Sequence, residues 1–418
     1  MSKVAPNSIE NRSITARWRW CVAMALFTAV VIGFFDRISI AVLFTRADFY
    51  NDVGIGFDPT RFGLLMTVFL IAYAISSIFL SVLGDLFGPG RMLALAAGAW
   101  GVCMVCMGNA SSYGSIIAAR IGLGVMEGPQ FSLIAKIVYR WFPVHERGRA
   151  NAIWLVGSPV GSAIGFPLIF WLVGTYGWRG SLHFLGALSL FLVMPLILVV
   201  VRDRSGQALQ LPQGHQSCEA KARCSIFLAN PRFWLLTFYG CGSLMYLWGL
   251  NSWLPSYFTR ERHMDLHHVG VFSALPFIMM FAGELISGVL VDRTRRRAWM
   301  CFIGLFGAGC LMYLGIILAD LRLAATAIAL SAGFWGFGLP AQYALAMEIV
   351  PASVTAAGIG TLNGIANLAG SCAPALIGWI IGRTGNFGSG MFVIVCASLA
   401  GAITILPLAR RTDRTDPI

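Results

Sequence analysis

Asp36 and Arg37 interrupt one strongly apolar run of the chain, and Arg120 and Glu127 interrupt another. A charge in hydrocarbon is costly enough that each of the four must face protein, water or a counter-charge. Neighbouring residues on a helix point about 100° apart, so Asp36 and Arg37 address different partners. Residues seven apart share one face about 10.5 Å from each other, which places Arg120 and Glu127 on one stripe at two depths. Such a set suits two chemistries. A carboxyl can carry a proton, and an arginine can hold an anion or stabilise a bare carboxylate. The functional reading gives Arg37 to a substrate anion and Asp36 to a proton, with Glu127 as a relay and Arg120 stabilising whichever acid is ionised. The alternative is buried ion pairs that only hold helices together.

Uncharged polar groups inside apolar stretches supply directional bonding without a net charge. Tyr73, Gln130, Ser158, Asn251, Gln342, Asn363, Asn367 and Ser371 are of this kind. The four-residue spacing of Asn363, Asn367 and Ser371 aligns them on one stripe, suited to a substrate path or to joining helices. Glu284 is a lone acid that either lines a cavity or bonds between helices. Glu348, near Pro351, reads as a gate or cap partner, and Lys136 as the marker of a membrane boundary. The cysteines and histidines have no metal-ligand spacing and no phosphate-binding glycine loop occurs, so no metal and no cofactor is expected, with protons as the coupling ion. No nucleophile, base and orienting group can be recognised by spacing, which argues against an enzyme.

The elements that must position these groups follow from composition. Of the 418 residues, 57% are hydrophobic and only 11% charged, with a mean hydropathy of +0.75. So little charge cannot solvate a water-facing surface of that size, which excludes a cytosolic globular protein, a disordered chain and a nucleic-acid binder. Apolar stretches recur at 20–41, 62–83, 92–110, 114–138, 150–174, 180–201, 232–254, 269–291, 298–319, 322–348, 354–380 and 387–408. Each is compatible with the ~17–25 residues that cross a bilayer, the longer ones if tilted. No period of two suggests a barrel, so twelve helices are expected.

With the termini on one side, 20 basic residues fall in the termini and the even-numbered loops, against seven in the opposite loops. That bias puts both termini of a multi-pass protein in the cytoplasm; the plasma (bacterial inner) membrane is the expected location. A long polar connector divides the spans six and six, giving an N-terminal bundle at 1–201, a cytoplasmic linker at 202–231 and a C-terminal bundle at 232–418. After the second helix of each half comes a loop with an acid and arginines, "GDLFGPGR" at 84–91 and "GVLVDRTRRR" at 288–297. Such internal symmetry is found where one bundle rocks against the other.

The sequence resembles the major facilitator superfamily and, within it, the anion:cation symporter family of hexuronate, galactonate and glucarate transporters. The resemblance rests on "FFDR" at 34–37, the loop at 84–91, "ARIGLGVMEGPQF" at 119–131, "RWFPVHERGRA" at 140–150 and "GSPVGSAIG" at 157–165. The second half adds "WLPSYF" at 253–258, "GVLVDR" at 288–293 and "NGIANLAG" at 363–370. It implies an all-α integral membrane fold, with twelve transmembrane helices in two six-helix bundles related by pseudo-two-fold symmetry. It also implies proton-coupled symport, by alternating access, of a small organic anion such as a sugar acid or other carboxylate. Asp36, Arg120 and Glu127 take the proton-coupling roles. Tyr73, Asn367 and Ser371 are favoured as substrate ligands, and Arg37, Gln130, Gln342 and Asn363 complete the candidate substrate set. Asp85, Arg91, Asp292 and Arg293 become gating residues. Ser81 and Leu86 replace the usual glycine and arginine of the first loop, so the second is expected to carry more of the gating. The expected partners are the anion, protons and lipid, with no nucleic acid, in a functional monomer. An anion exchanger or efflux carrier is the nearest alternative, and a membrane anion sensor a remote one.

Overall fold

A computed structural model describes residues 7–80, 83–201, 228–294, 296–350 and 355–412, which are helical almost throughout. The first half comprises α1 (Asn7–Leu43), α2 (Ala47–Asp52), α3 (Pro59–Phe79), α4 (Leu83–Phe87), α5 (Pro89–Gly108), α6 (Tyr113–Glu127), α7 (Gln130–Trp141) and α8 (Val144–Leu188). A π-helical turn, Ser189–Val193, leads from α8 into α9 (Met194–Val200). The second half comprises α10 (Pro231–Ser256), α11 (Leu266–Thr294), α12 (Arg297–Ile317), α13 (Leu321–Ile349), α14 (Thr355–Thr384) and α15 (Phe387–Thr412). Several starts carry their own signal. Asp58 accepts the Arg61 amide ahead of Pro59, Ser112 and Ser115 form a capping box, and Asp320 accepts the Leu323 amide.

Ten helices among the described residues are long and apolar enough to cross a membrane. Two local features reconcile this with twelve spans. The expected fifth and sixth spans run on as one stretch, His145–Val200, bent where Gly177 takes a φ of 70° that a side chain would resist. The expected fourth span is broken at Gly128-Pro129 into α6 and α7, each too short to qualify alone. Proline has no amide hydrogen to continue the ladder and crowds the preceding turn. Outward-facing side chains such as Ile75, Phe79, Leu95, Trp171, Phe191 and Val289 present an apolar surface, as a lipid-embedded bundle requires.

Helices up to α9 pack chiefly on one another, as do α10 to α15, and the two groups meet along α3–α14, α8–α11 and α1–α10. The α3–α14 seam is close enough to require glycine. A Cβ on Gly63 would collide with the Pro374 carbonyl, and one on Gly378 with the Pro59 carbonyl. Thr67 Oγ1 donates to the Ser371 carbonyl at 2.7 Å, and Trp253 Nε1 to that of Pro374 at 3.0 Å. Nearby, Phe166 stacks on Phe277 at 5.5 Å, and Arg260 Nη2 donates to the Tyr50 hydroxyl at 2.8 Å. Further along α14 the contact ends, for a Cβ on Gly364 or Gly360 would meet nothing. The two groups are therefore joined at the end where α1 finishes and α15 starts, and they part toward the end where α1 starts and α15 finishes.

Candidate functional site

Glycines draw α6 onto α3. A Cβ on Gly124 would strike the Phe69 carbonyl, and one on Gly128 the Tyr73 carbonyl and Ser76. Ser76 also donates its hydroxyl to the Val125 carbonyl. This close approach sets Glu127, the last residue of α6, level with Tyr73, while the break at Pro129 turns Gln130 back toward α1. The three elements converge on Arg37.

Arg37 Nε donates to Glu127 Oε2 at 2.6 Å, and Nη2 donates to Gln130 Oε1 at 3.0 Å. Gln130 is itself oriented by donating Nε2 to the Ala29 carbonyl at 3.0 Å. The rings of Phe34, Tyr73 and Phe131 surround the guanidinium, with centroids 4.8, 4.8 and 5.2 Å from Cζ. Rings placed this way stabilise a desolvated cation by about 2 kcal/mol. Arg37, Glu127 and Gln130 are buried, whereas Tyr73 is partly exposed.

Asp36 points elsewhere, as helical geometry demands. Its Oδ2 accepts the Ser189 hydroxyl at 3.1 Å, and its Oδ1 has no hydrogen-bond partner. The neighbourhood of Gly101 and Gly186, each against the other's carbonyl, holds Ser189 in place between α5 and α1. Arg120 shares a stripe with Glu127, whose ion pair is made with Arg37. Arg120 instead donates Nε to the Leu65 carbonyl at 3.3 Å, contacts Met66 Sδ through Nη2 at 3.1 Å and lies over Phe69. It remains near enough to feel the charges of both Asp36 and Glu127. One oxygen of each acid, and Nη1 of Arg120, lack hydrogen-bond partners. Buried groups with free capacity are where a proton can be taken up or an incoming group bound.

The second half contributes fewer free groups than its sequence stripe suggests. Asn367 donates to the Asn363 carbonyl and Ser371 to that of Leu368, so both spend donors on their own helix. Ser371 is fully buried in the seam, and Gln342 is buried beside Gly240 of α10. Asn363 Oδ1 accepts the hydroxyl of exposed Tyr343 at 3.5 Å. Glu348 pairs with Arg297 at 3.2 Å. Of the candidate gating residues, Arg91 and Arg293 are exposed, whereas the side chains of Asp85 and Asp292 lie outside the described residues, as do residues 202–227 of the expected linker.

Sequence reasoning missed Phe34, Phe131, Ser189 and Tyr343. Phe34 lies one turn before Arg37 and Phe131 beside Gln130, so helical spacing could have found them. Ser189 lies 153 residues from its partner, and no local pattern signals that contact.

A family model, the Major Facilitator Superfamily, matches residues 25–281 and 248–417. A probable sulfoacetate transporter of Cupriavidus necator is 30% identical over 85% of this chain and 86% of its own. A probable L-galactonate transporter of Escherichia coli is 26% identical over 98% and 93%. Among solved structures, a bacterial homologue of the human lysosomal transporter Spinster, inward-facing and occupied, superposes with a TM-score of 0.80. It covers 96% of this chain and 99% of its own at 18% identity, a likeness of fold alone.

Proposed function

This chain belongs to the Major Facilitator Superfamily, with relatives that are organic-anion transporters and not enzymes, and we propose that it takes up a small organic anion by proton-coupled symport. The observation that carries this reading is the ion pair between Arg37 and Glu127. Arg37 is the anion anchor, and ionised Glu127 already occupies it. Protonating Glu127 removes that counter-ion, so a substrate carboxylate or sulfonate can take its place through the guanidinium fork. Substrate and proton thereby bind together, because a bound anion and an ionised Glu127 compete for one cation. Asp36, with its unpaired oxygen, accepts a further proton, and Arg120 stabilises the acids when bare.

The open end of the bundle is then the cytoplasmic one, following the excess of basic residues on that side. The anion enters on the opposite side, the bundles rock as a monomer in the inner membrane, and release inside is followed by proton loss. Cargo carrying more protons than its own negative charge draws on the membrane potential, worth ~2.3 kcal/mol per elementary charge per 100 mV. A reporter fused after Ile418 and one placed within residues 205–225 are expected to signal from the cytoplasm, and one between Asn51 and Asp58 from outside. An external signal from the C-terminal fusion overturns the orientation.

A thermal-shift screen of carboxylates and sulfonates, followed by proteoliposome uptake of each hit, tests the function. An imposed inward proton gradient is expected to drive accumulation that a protonophore abolishes. Exchange without accumulation would indicate an exchanger, and binding without flux a sensor.

A further inference from the structure

Glu284 is an acid within a membrane-spanning helix that the scheme above leaves unused. On α11 it falls in line with Ser273, Phe277, Met280, Ser287 and Val291, at spacings of three and four, and all five are buried. The lipid-facing residues Ile278, Leu285 and Val289 lie on the other side of the helix. Glu284 therefore points inward, yet it keeps partial exposure. No ion pair joins it to any cation among the described residues. Gly283, against the Gly333 carbonyl, and Gly336, against the Met280 carbonyl, draw α11 tightly onto α13, whose Tyr343 lies within electrostatic reach of Glu284 and donates its hydroxyl to Asn363 of α14. Three helices thus bring an acid, a phenol and an amide to one place.

Asn363 lies near the level of Tyr73, the ring beside Arg37. In the α3–α14 seam, Gly63 lies against Pro374 and Thr67 against Ser371. Continuing the antiparallel register sets Tyr73, the ring beside Arg37, level with Ile365, two residues from Asn363. By that level the helices have parted, since a Cβ on Gly364 would meet nothing. Partly exposed Tyr73, which lies against the buried Arg37 guanidinium, stands on one side of this opening and Asn363, bonded to Tyr343, on the other, with Glu284 on the neighbouring α11.

We propose that Glu284, with Tyr343 and Asn363, reads the end of the substrate remote from its anionic group, and selects monoanions bearing hydroxyl or ammonium donors there over dianions. This rests on Arg37 being the anion anchor. An ionised carboxylate only accepts hydrogen bonds, so a hydroxyl or ammonium satisfies it. A second carboxylate or sulfonate would be set against like charge away from bulk water, and a built-in repulsion of this kind is an effective route to specificity.

Matched pairs that differ only at the far end test the proposal. The probes are gluconate with glucarate, galactonate with galactarate, and 4-hydroxybutyrate with succinate, compared for transport by wild-type proteoliposomes. The monoacid of a transported pair is expected to exceed its diacid in kcat/KM by at least tenfold. In Glu284→Gln, which keeps size and removes charge, that ratio is expected to narrow by at least tenfold. The ratio is taken within one variant, so loss of folded protein does not move it. An unchanged ratio in Glu284→Gln overturns the proposal. A wild-type preference for the diacids overturns it without any variant, as does failure to transport any probe. Arg37→Ala separates the premise, because binding of both pair members that survives it removes the anchor and leaves the Glu284 ratio to be read independently.

Discussion

Arg37→Ala is expected to weaken substrate-anion binding by about 2–5 kcal/mol, the cost of losing one partner of a buried charge-assisted contact. That is roughly thirtyfold to several thousandfold in Kd. Arg37→Lys is expected to restore only part, because a point charge reproduces neither the fork reaching Glu127 and Gln130 nor the flat stacking among Phe34, Tyr73 and Phe131. Removing the arginine also strands Glu127, and a broken buried pair destabilises by about 3–5 kcal/mol unless the acid takes up a proton. The double substitution Arg37→Ala with Glu127→Gln separates the two effects. It is expected to regain thermal stability without regaining binding. Near-normal calorimetric affinity in folded Arg37→Ala protein would remove Arg37 from the substrate site.

Glu127→Gln is expected to uncouple transport. The amide oxygen can still accept from Arg37 Nε, but the group is fixed as neutral and no longer competes with the substrate for the guanidinium. Counterflow, which need not include proton release, is expected to persist. Accumulation driven by a proton gradient is expected to collapse to equilibration. The sign of the pH dependence follows from the same competition. Wild-type affinity should fall as rising pH ionises Glu127, whereas that of Glu127→Gln should stay flat over this range. Counterflow and gradient-driven uptake measured in the same proteoliposomes, with folding verified, decide the matter. A variant that still concentrates substrate with wild-type proton stoichiometry leaves Glu127 as a structural partner only.

Much of this protein was legible in the amino-acid sequence, and the reason is the bilayer. A lipid solvent leaves helices and closed barrels as the only spanning structures, so stretches without a period of two had to be helices. The same solvent makes every intramembrane charge conspicuous, which is why Asp36, Arg37, Arg120, Glu127 and Glu284 stood out before any contact was known. Even the divergence of Asp36 and Arg37 followed from 100° per residue. Pairing was decided by tertiary structure alone. Spacing along one helix put Arg120 with Glu127, but the glycine-mediated approach of α6 to α3 and the break at Gly128-Pro129 gave Glu127 to Arg37 of another helix. Asn363, Asn367 and Ser371 share a stripe, yet Ser371 is closed into the seam and Asn367 bonds to its own backbone. Only the approach of α13 to α14 gives Asn363 the Tyr343 hydroxyl as its partner. A helix repeats its own geometry from residue to residue, so sequence can say which groups share a face. Which face meets which depends on the packing of distant helices, and no local spacing carries that information.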